Sequence, residues 1–480
     1  MAIDEQSVRE IVASVVKGLD LGSDGKETSS TAVSHDEIGG SGIFNDIDSA
    51  VAAAEVAYND LSALSLEIRR EMICEMRKAV LDNVELISRA ALEETGFGRL
   101  ETKIAKNTLA AKGTPGIEDV QPTVWTDDHG LTLLERAPYG VIGSIIPCTN
   151  PTATVISNGI GMIAAGNSAV FNPHPVSKKS SCMAISILND AIMKAGGPRN
   201  LLTGVGKPTI QSAQEMMKHP AVRLLVVTGG PAVVKVAMNS GKKAIAAGPG
   251  NPPCVVDETA ELDKAGKSIV DGAGFDNNII CICEKEVIAV ASIADRLKQE
   301  MVKNGAYELD AVQTDAITKL VIDEPGGPGN EGMANKKFVG KDASVIAAAA
   351  GIQVPSSTRI LLCEVAREHP LVWTEQLMPV IPLVRVSDVD EGIALAVQCE
   401  HGFRHTATMH SLNIAKLSKM ARVMNCSIFV KNGPSYCGLG MGGAGFASFT
   451  IASPTGEGVT RARTFTRERR CVVVDHFRII

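Results

Sequence analysis

The sequence predicts an α/β protein built on two successive parallel sheets. Three observations predict it. From about residue 131 to 250, short apolar runs alternate with helical stretches, and a second series of the same kind runs from about 251 to 445. Continuous apolar strands separated by helices imply parallel sheets covered on both faces. Aromatic residues make up only 4% while glycine fills 45 positions, so the core must be aliphatic and the turns tight. A chain of 480 residues is long enough for two or three domains of this kind.

Composition excludes several function classes. A formal net charge of −7 argues against a nucleic-acid surface, which needs a basic patch. No apolar run approaches the roughly 20 residues that span a bilayer. The opening MAIDEQSVRE carries acids early and lacks an apolar stretch, so no secretory signal is expected. The 11 cysteines are odd in number and scattered, which points to a reducing compartment without disulfides. Cys281 and Cys283 form C-x-C, but no second pair stands at zinc-ligand spacing, and no metal site is expected.

The elements follow in order. In residues 1–20, Val8, Ile11, Val12, Val15, Val16 and Leu19 fall on one helical stripe. Residues 21–42 are rich in Gly, Ser, Thr and acids and read as a linker. A short amphipathic helix on a tether can fold back on the body or dock in another protein's groove, and the loose tether favours docking. Residues 45–112 read as helices, with Gly96 as a stop signal. Around 121–139, the turn Asp127–Gly130 between strand-like flanks reads as a hairpin. The strands GVIGSIIP, SAVFNPH, LLTGVG, VRLLVVTGG and KKAIAAG then alternate with helices. EKEVIAVA, TRILLCEV, VIPLVRV and CSIFVKNG carry the second series. The terminal CVVVDHFRII is strand-like, and such an apolar edge is expected to pair with another subunit.

Three motifs invite chemistry. GLGMGGAGF at Gly438–Phe446 lacks the preceding strand, following helix and distant acid of a dinucleotide fingerprint, and reads as a close-packed loop. In VRLLVVTGGPAVV a strand runs into Thr228, Gly229 and Gly230, and a helix starts at Pro231. That turn fits an anion-facing helix start and fits equally an ordinary strand–helix connection. Cys281 follows Asn277 and Asn278 and precedes an apolar strand. A nucleophilic thiol needs partial exposure and nearby donors, whereas a free cysteine can also simply pack in a core.

Taken together, ERAPYGVIGSIIPCTNPT, SAVFNPHPVSKKS, TGGPAVV, SGKKAIAAGPGNPPCVVDETA, FDNNIICICEKEVIAV, EQLMPVIPLVRVSD, HTATMHS and SIFVKNGPSY resemble the aldehyde dehydrogenase superfamily. More closely, they resemble its CoA-acylating branch from bacterial microcompartments, along nearly the whole chain. The resemblance implies an aldehyde dehydrogenase fold. A Rossmann-like NAD/CoA-binding domain would occupy 43–250, with the hairpin in an oligomerisation arm. An α/β catalytic domain would occupy 251–450, and 451–480 would serve oligomerisation in a homodimer or homotetramer. The helix at 1–20 would bind a shell protein, placing the enzyme in the cytoplasm within a microcompartment.

The resemblance also implies roles. Cys281 takes the nucleophile's place, with Cys283 as bystander. In PCTNP, Thr149 or Asn150 would supply the amide-side donor of an oxyanion hole beside the Cys281 N–H. Thr228, Gly229, Gly230, Pro147, Gly248 and Leu377 would line the cofactor site, with Glu375 on the nicotinamide ribose. Asn172, Pro173 and His174 would meet the adenosine ribose. His405 is a candidate base for the CoA thiol, and a hydrogen-bonded structural histidine is its alternative role. The implied cofactor is NAD, with coenzyme A as co-substrate and a small aldehyde as partner. Propanal is favoured over acetaldehyde on the similarity of the 240–260 and 454–473 regions to propionaldehyde enzymes. One departure is informative. Hydrolytic relatives carry a glutamate where this chain has Ala246, so water attack on a thioester should be slow and thiolysis should win.

Overall fold

The structure, a computed structural model, describes residues 40–480. The helix read at 1–20 and the linker up to residue 39 lie outside the described residues. Helices Ile47–Ser62, Leu66–Asp82, Val84–Thr95 and Leu100–Gly113 fill the region read as helical. Gly96 ends the third of them in the left-handed conformation at φ 65°, where a side chain would be strained.

Six strands form the first sheet, in the order Ile43–Phe44, Leu202–Val205, Ser168–Asn172, Val141–Ile145, Val222–Thr228 and Lys243–Ala247. Every pairing in it is parallel. Val141–Ile145 and Ser168–Asn172 are buried at every position, as strands with helices on both faces must be. The second sheet has seven strands: Ala306–Glu308, Ile360–Glu364, Val380–Val386, Glu286–Val290, Pro253–Val256, Thr406–His410 and Ile428–Lys431. It too is parallel throughout.

Helix Pro151–Ala164 is buried along its whole length and runs through the first core. Gly161 makes this possible on one side, because a Cβ there would lie 2.9 Å from the Phe465 ring. Sequence periodicity did not reveal the short hairpin Ile322–Glu324 with Met333–Ala334, nor helices Ala311–Val321 and Ala343–Ala349. The glycine run at 438–445 is a loop after the turn Ser435–Leu439.

The C-terminal strand is paired along one edge within the chain. It covers Thr466–Val474, begins earlier than CVVVDHFRII, and pairs antiparallel with Gly130–Pro138 of its own chain over nine residues. That strand also pairs with Thr123–Asp127, so the hairpin and the C-terminal strand form one three-stranded sheet. The chain satisfies one side of its terminal strand itself, because residue 466 emerges beside Pro138 in register.

Phe465, at 1% exposure, anchors this sheet to helix Pro151–Ala164 at Gly161. Phe465→Ala should therefore destabilise the protein by about 3–5 kcal/mol, the usual loss for a buried aromatic. A denaturant midpoint equal to that of the unaltered protein would show that the anchor carries no such load.

Candidate active site

In an open parallel sheet, ligands bind beyond the carboxyl ends of the strands, where the strand order reverses. In the first sheet the order reverses between Val141–Ile145 and Val222–Thr228. A cavity of about 560 Å³ lies there. Four strand ends supply much of its wall: Pro147, Cys148, Thr149 and Asn150; Asn172, Pro173 and His174; Thr228, Gly229 and Gly230; Ala247 and Gly248. Its size falls in the range of small-molecule and cofactor sites. The second half of the chain contributes Cys281, Glu331, Lys336, Glu375 and Leu377.

All but one of the residues singled out from the sequence thus meet in one cavity. His405 is the exception. It is fully buried at the start of strand Thr406–His410 and does not line the cavity. Its Nδ1 lies 2.9 Å from Thr406 Oγ1 and its backbone N–H donates to Glu400 Oε1. Burial, then the nearby Lys285 charge, push its imidazole down to about 3, so it stays neutral. It packs behind Gly250, where a Cβ would lie 2.9 Å from both its ring and the Cys281 carbonyl oxygen. Ala246 is buried within its strand, while the following Ala247 and Gly248 reach the cavity.

Cys281 is half-buried and faces the cavity, whereas Cys283 is fully buried. The turn before Cys281 is unusual. Asp276, Asn277 and Asn278 all adopt left-handed backbone, at φ 48°, 55° and 63°. Asp and Asn tolerate that region best, but each such residue still costs on the order of 1 kcal/mol. Side-chain bonds hold all three. Asn278 Nδ2 donates to the carbonyls of Ala273 at 2.8 Å and Glu284 at 2.9 Å. Asn277 Nδ2 donates to Gly340 O at 3.0 Å and Asp342 Oδ1 at 2.9 Å. Lys285, wholly buried, donates to Asn278 O and Oδ1 and to Ile280 O. Asp276 Oδ1 accepts from Arg99 N at 2.8 Å and Thr102 Oγ1 at 2.9 Å, while Lys103 and Lys106 reach Oδ2.

Across the cavity, Asn150 precedes helix Pro151–Ala164. Its Oδ1 accepts from Lys106 Nζ at 2.8 Å, and its Nδ2 lies 3.3 Å from Thr149 Oγ1. An ammonium can only donate, so the orientation of the amide is fixed: Oδ1 to Lys106, Nδ2 away from it. On the cofactor side, Glu375 Oε1 accepts the Gly250 N–H at 3.2 Å, and burial pushes its carboxyl up to about 7. Leu377 next to it holds φ 54°, a strained conformation for leucine. Helix Pro231–Met238 starts at the Thr228–Gly230 turn. His174 Nδ1 accepts from Val176 N at 3.2 Å, which leaves the Nε2 proton as its donor. Asn172 Oδ1 accepts from Ser212 Oγ at 2.6 Å.

Lys103, Lys106, Asp276 and Lys285 were not picked out from the sequence. The lysines sit in ordinary-looking stretches, and Asp276 meets two of them from a remote part of the chain. The run Asp-Asn-Asn was the available signal, since these types favour left-handed backbone.

A partly exposed thiol at the mouth of a dinucleotide-type crevice, faced by an oriented amide, defines a nucleotide-dependent enzyme of covalent catalysis. The chain belongs to the aldehyde dehydrogenase family, whose model matches residues 41–315. Within it, the chain is 51% identical over 488 residues to an acetaldehyde dehydrogenase (acetylating) of Bilophila wadsworthia, covering 100% of both chains. It is 49% identical, at a TM-score of 0.88, to Rhodopseudomonas palustris propionaldehyde dehydrogenase with bound CoA and an acylated cysteine. That match covers 90% of this chain and 98% of the other. A propionaldehyde dehydrogenase from the fucose utilisation microcompartment of Clostridium phytofermentans matches at TM-score 0.89 and 45% identity, over 92% of this chain and 100% of that one.

Burial, then the negative Glu375, push the Cys281 thiol up to about 12. In the protein without ligands, alkylation of Cys281 read by peptide mass spectrometry should therefore rise with pH through the whole neutral and mildly alkaline range, without a plateau. Glu375 ionises near pH 7, so Glu375→Gln should speed alkylation above that pH and change little below it. A plateau near neutrality, or a slower Glu375→Gln protein, would contradict this electrostatic picture.

Proposed function

We propose that the protein oxidises a two- or three-carbon aldehyde with NAD and transfers the acyl group to coenzyme A, using Cys281 as nucleophile. The observation that carries the reading is the juxtaposition in one cavity of the half-buried Cys281, the oriented Asn150 amide and four parallel strand ends.

The residues present suit a dinucleotide. The N-terminal turn of helix Pro231–Met238, entered through Gly229 and Gly230, offers backbone N–H groups to a pyrophosphate. Glu375 offers a carboxylate to a ribose diol, and the Nε2 proton of neutral His174 suits a second ribose. Bound there, the nicotinamide supplies a hydride acceptor.

The Cys281 S–H proton is released to solvent, as the one proton the overall oxidation sets free, and the thiolate sulfur forms a bond to the aldehyde carbon. The oxygen becomes an oxyanion, held by the Cys281 N–H and by Asn150 Nδ2. Of the two residues in PCTNP, Asn150 is the donor, since its Oδ1 is taken by Lys106. Thr149 lies beside that amide and helps set it. Loss of hydride from the same carbon restores the carbonyl and leaves an acyl thioester on Cys281. The thioester then passes to the thiol of coenzyme A, and Cys281 returns as the free thiol. We assign no proton-transfer role to His405, which sits behind the cavity wall at Gly250.

We assign residues 43–250 to cofactor binding, 251–450 to catalysis, and the hairpin with 451–480 to pairing of copies in a homodimer or homotetramer. Strand Thr466–Val474 has a second edge, and Val472, Val474 and Trp125 on this sheet are 54%, 63% and 51% exposed. Residues 1–20 are assigned to docking on a microcompartment shell protein. The similarity to the Clostridium enzyme supports that setting. No described helix is long and apolar enough to cross a membrane. Both acetaldehyde and propanal fit; one methylene changes discrimination by about 1–3 kcal/mol.

NADH formation with propanal or acetaldehyde should require CoA for sustained turnover and give the acyl-CoA in equal amount. Cys281→Ala should abolish it. Equal turnover without CoA, giving the free acid, would overturn the acylating reading. Full activity in Cys281→Ala would overturn the nucleophile.

A further inference from the structure

We propose that Lys106 is a positioning residue of the oxyanion hole, holding the Asn150 side chain out of its local helix cap and turned toward the substrate. This rests on the Cys281–Asn150 reading above.

The argument begins with what Asn150 does not do. It occupies the N-cap position of helix Pro151–Ala164, yet its side chain makes no capping bond. An asparagine there normally gives its carbonyl oxygen to a backbone N–H in the first turn, which stabilises the helix. Here that oxygen accepts from Lys106 Nζ at 2.8 Å instead. The competition has a geometric consequence. A capping Asn150 would turn Oδ1 toward its own helix, whereas the observed one presents Oδ1 to Lys106 and one Nδ2 proton to Thr149 Oγ1, with Thr149 and Asn150 both in the cavity wall.

Lys106 is itself fixed. It is 3% exposed, it pairs with Asp276 Oδ2, and Lys103 reaches the same oxygen at 3.4 Å. Gly98 opens the space for that carboxylate, since a Cβ there would stand 1.9 Å from Asp276 Oδ1. The neighbouring Asn107 accepts from Thr152 Oγ1 at 2.8 Å, so helix Leu100–Gly113 grips the first turn of helix Pro151–Ala164 at two successive points. Asp276 opens the left-handed turn that leads to Cys281. One buried cation therefore ties the oxyanion donor on one wall to the nucleophile's turn on the other. A cation on Oδ1 also polarises the amide and strengthens Nδ2–H as a donor.

The test is a double-mutant cycle on the full chain, with kcat and KM measured for aldehyde, NAD and CoA. Asn150→Ala should lower kcat about 10²–10³-fold, as loss of one oxyanion donor does. Lys106→Met should lower kcat to a similar degree while leaving KM for NAD within about twofold. The double variant should be no worse than Asn150→Ala alone, because Lys106 acts through Asn150. Lys106→Arg, which keeps a donor for Oδ1, should recover part of the loss. If Lys106→Met fails to bind NAD, Lys106→Gln takes its place in the cycle; its side chain is one atom too short to reach Oδ1. Losses that multiply, or a Lys106→Met protein with nearly full kcat beside a crippled Asn150→Ala, would overturn the proposal. Full kcat in Asn150→Ala would remove the oxyanion reading itself, and the proposal with it.

Discussion

The carboxylate of Asp276 lies wholly inside the protein, and the active-site geometry depends on how it is satisfied. An isolated buried charge is untenable, and here two lysines, a backbone N–H and a hydroxyl surround it. Those four bonds come from one helix and the residue before it. They draw helix Leu100–Gly113 against the turn 276–278 and make the left-handed run affordable. Three such residues together cost about 3 kcal/mol at the low end, and hydrogen bonds to charged groups return about 1.5–3 kcal/mol each. The strained turn is thus a consequence of the charge cluster. Cys281 is presented where that turn ends.

The two parallel sheets explain why the thiol meets a cofactor-type crevice at all. The first sheet opens its carboxyl ends toward the second half of the chain, and Gly248 to Gly250 carry the backbone from one sheet to the other. Gly250 has to be glycine for contact reasons, because the Cys281 carbonyl and the His405 ring close on it from two directions. The same close passage places the Gly250 N–H on Glu375. One residue thereby fixes the nucleophile's backbone, the ribose-side acid and the buried histidine relative to one another.

Much of this was legible in the sequence, and the reasons differ by feature. Parallel strands announce themselves through uninterrupted apolar runs, and the strand ends carry Thr228–Gly230 and Asn172–His174, so the crevice could be placed. The thiol could be singled out because Cys281 follows the Asn pair at a strand approach. The buried lysines could not. Lys103 and Lys106 occupy helix positions three apart, a spacing that exposed charges share, and their partner Asp276 is supplied by tertiary folding. The burial of His405 was illegible for the same reason: the strand it opens and the residues packed on it come together only in the fold. The terminal strand was recognised by its apolar run, while its partner, the chain's own hairpin, depends on a register that only the fold determines.

The choice between water and coenzyme A then follows from what each nucleophile requires. Bulk water has a pKa near 15.7, so its attack on a thioester needs a base beside the reacting carbon. A free thiol has a pKa near 8.5 and is a few per cent thiolate at neutral pH, and thiolates are strong nucleophiles without help. Position 246 holds alanine, and that alanine is buried. Of the carboxylates that line the cavity, Glu375 is tied to the Gly250 N–H on the cofactor side. An alanine at 246 offers water no base and withholds nothing that a thiol needs. The same reasoning makes a histidine base dispensable, which agrees with a neutral His405 set behind the wall. Selectivity for the acyl acceptor is then achieved by deletion, with the nucleophile's own acidity deciding which acceptor is fast enough.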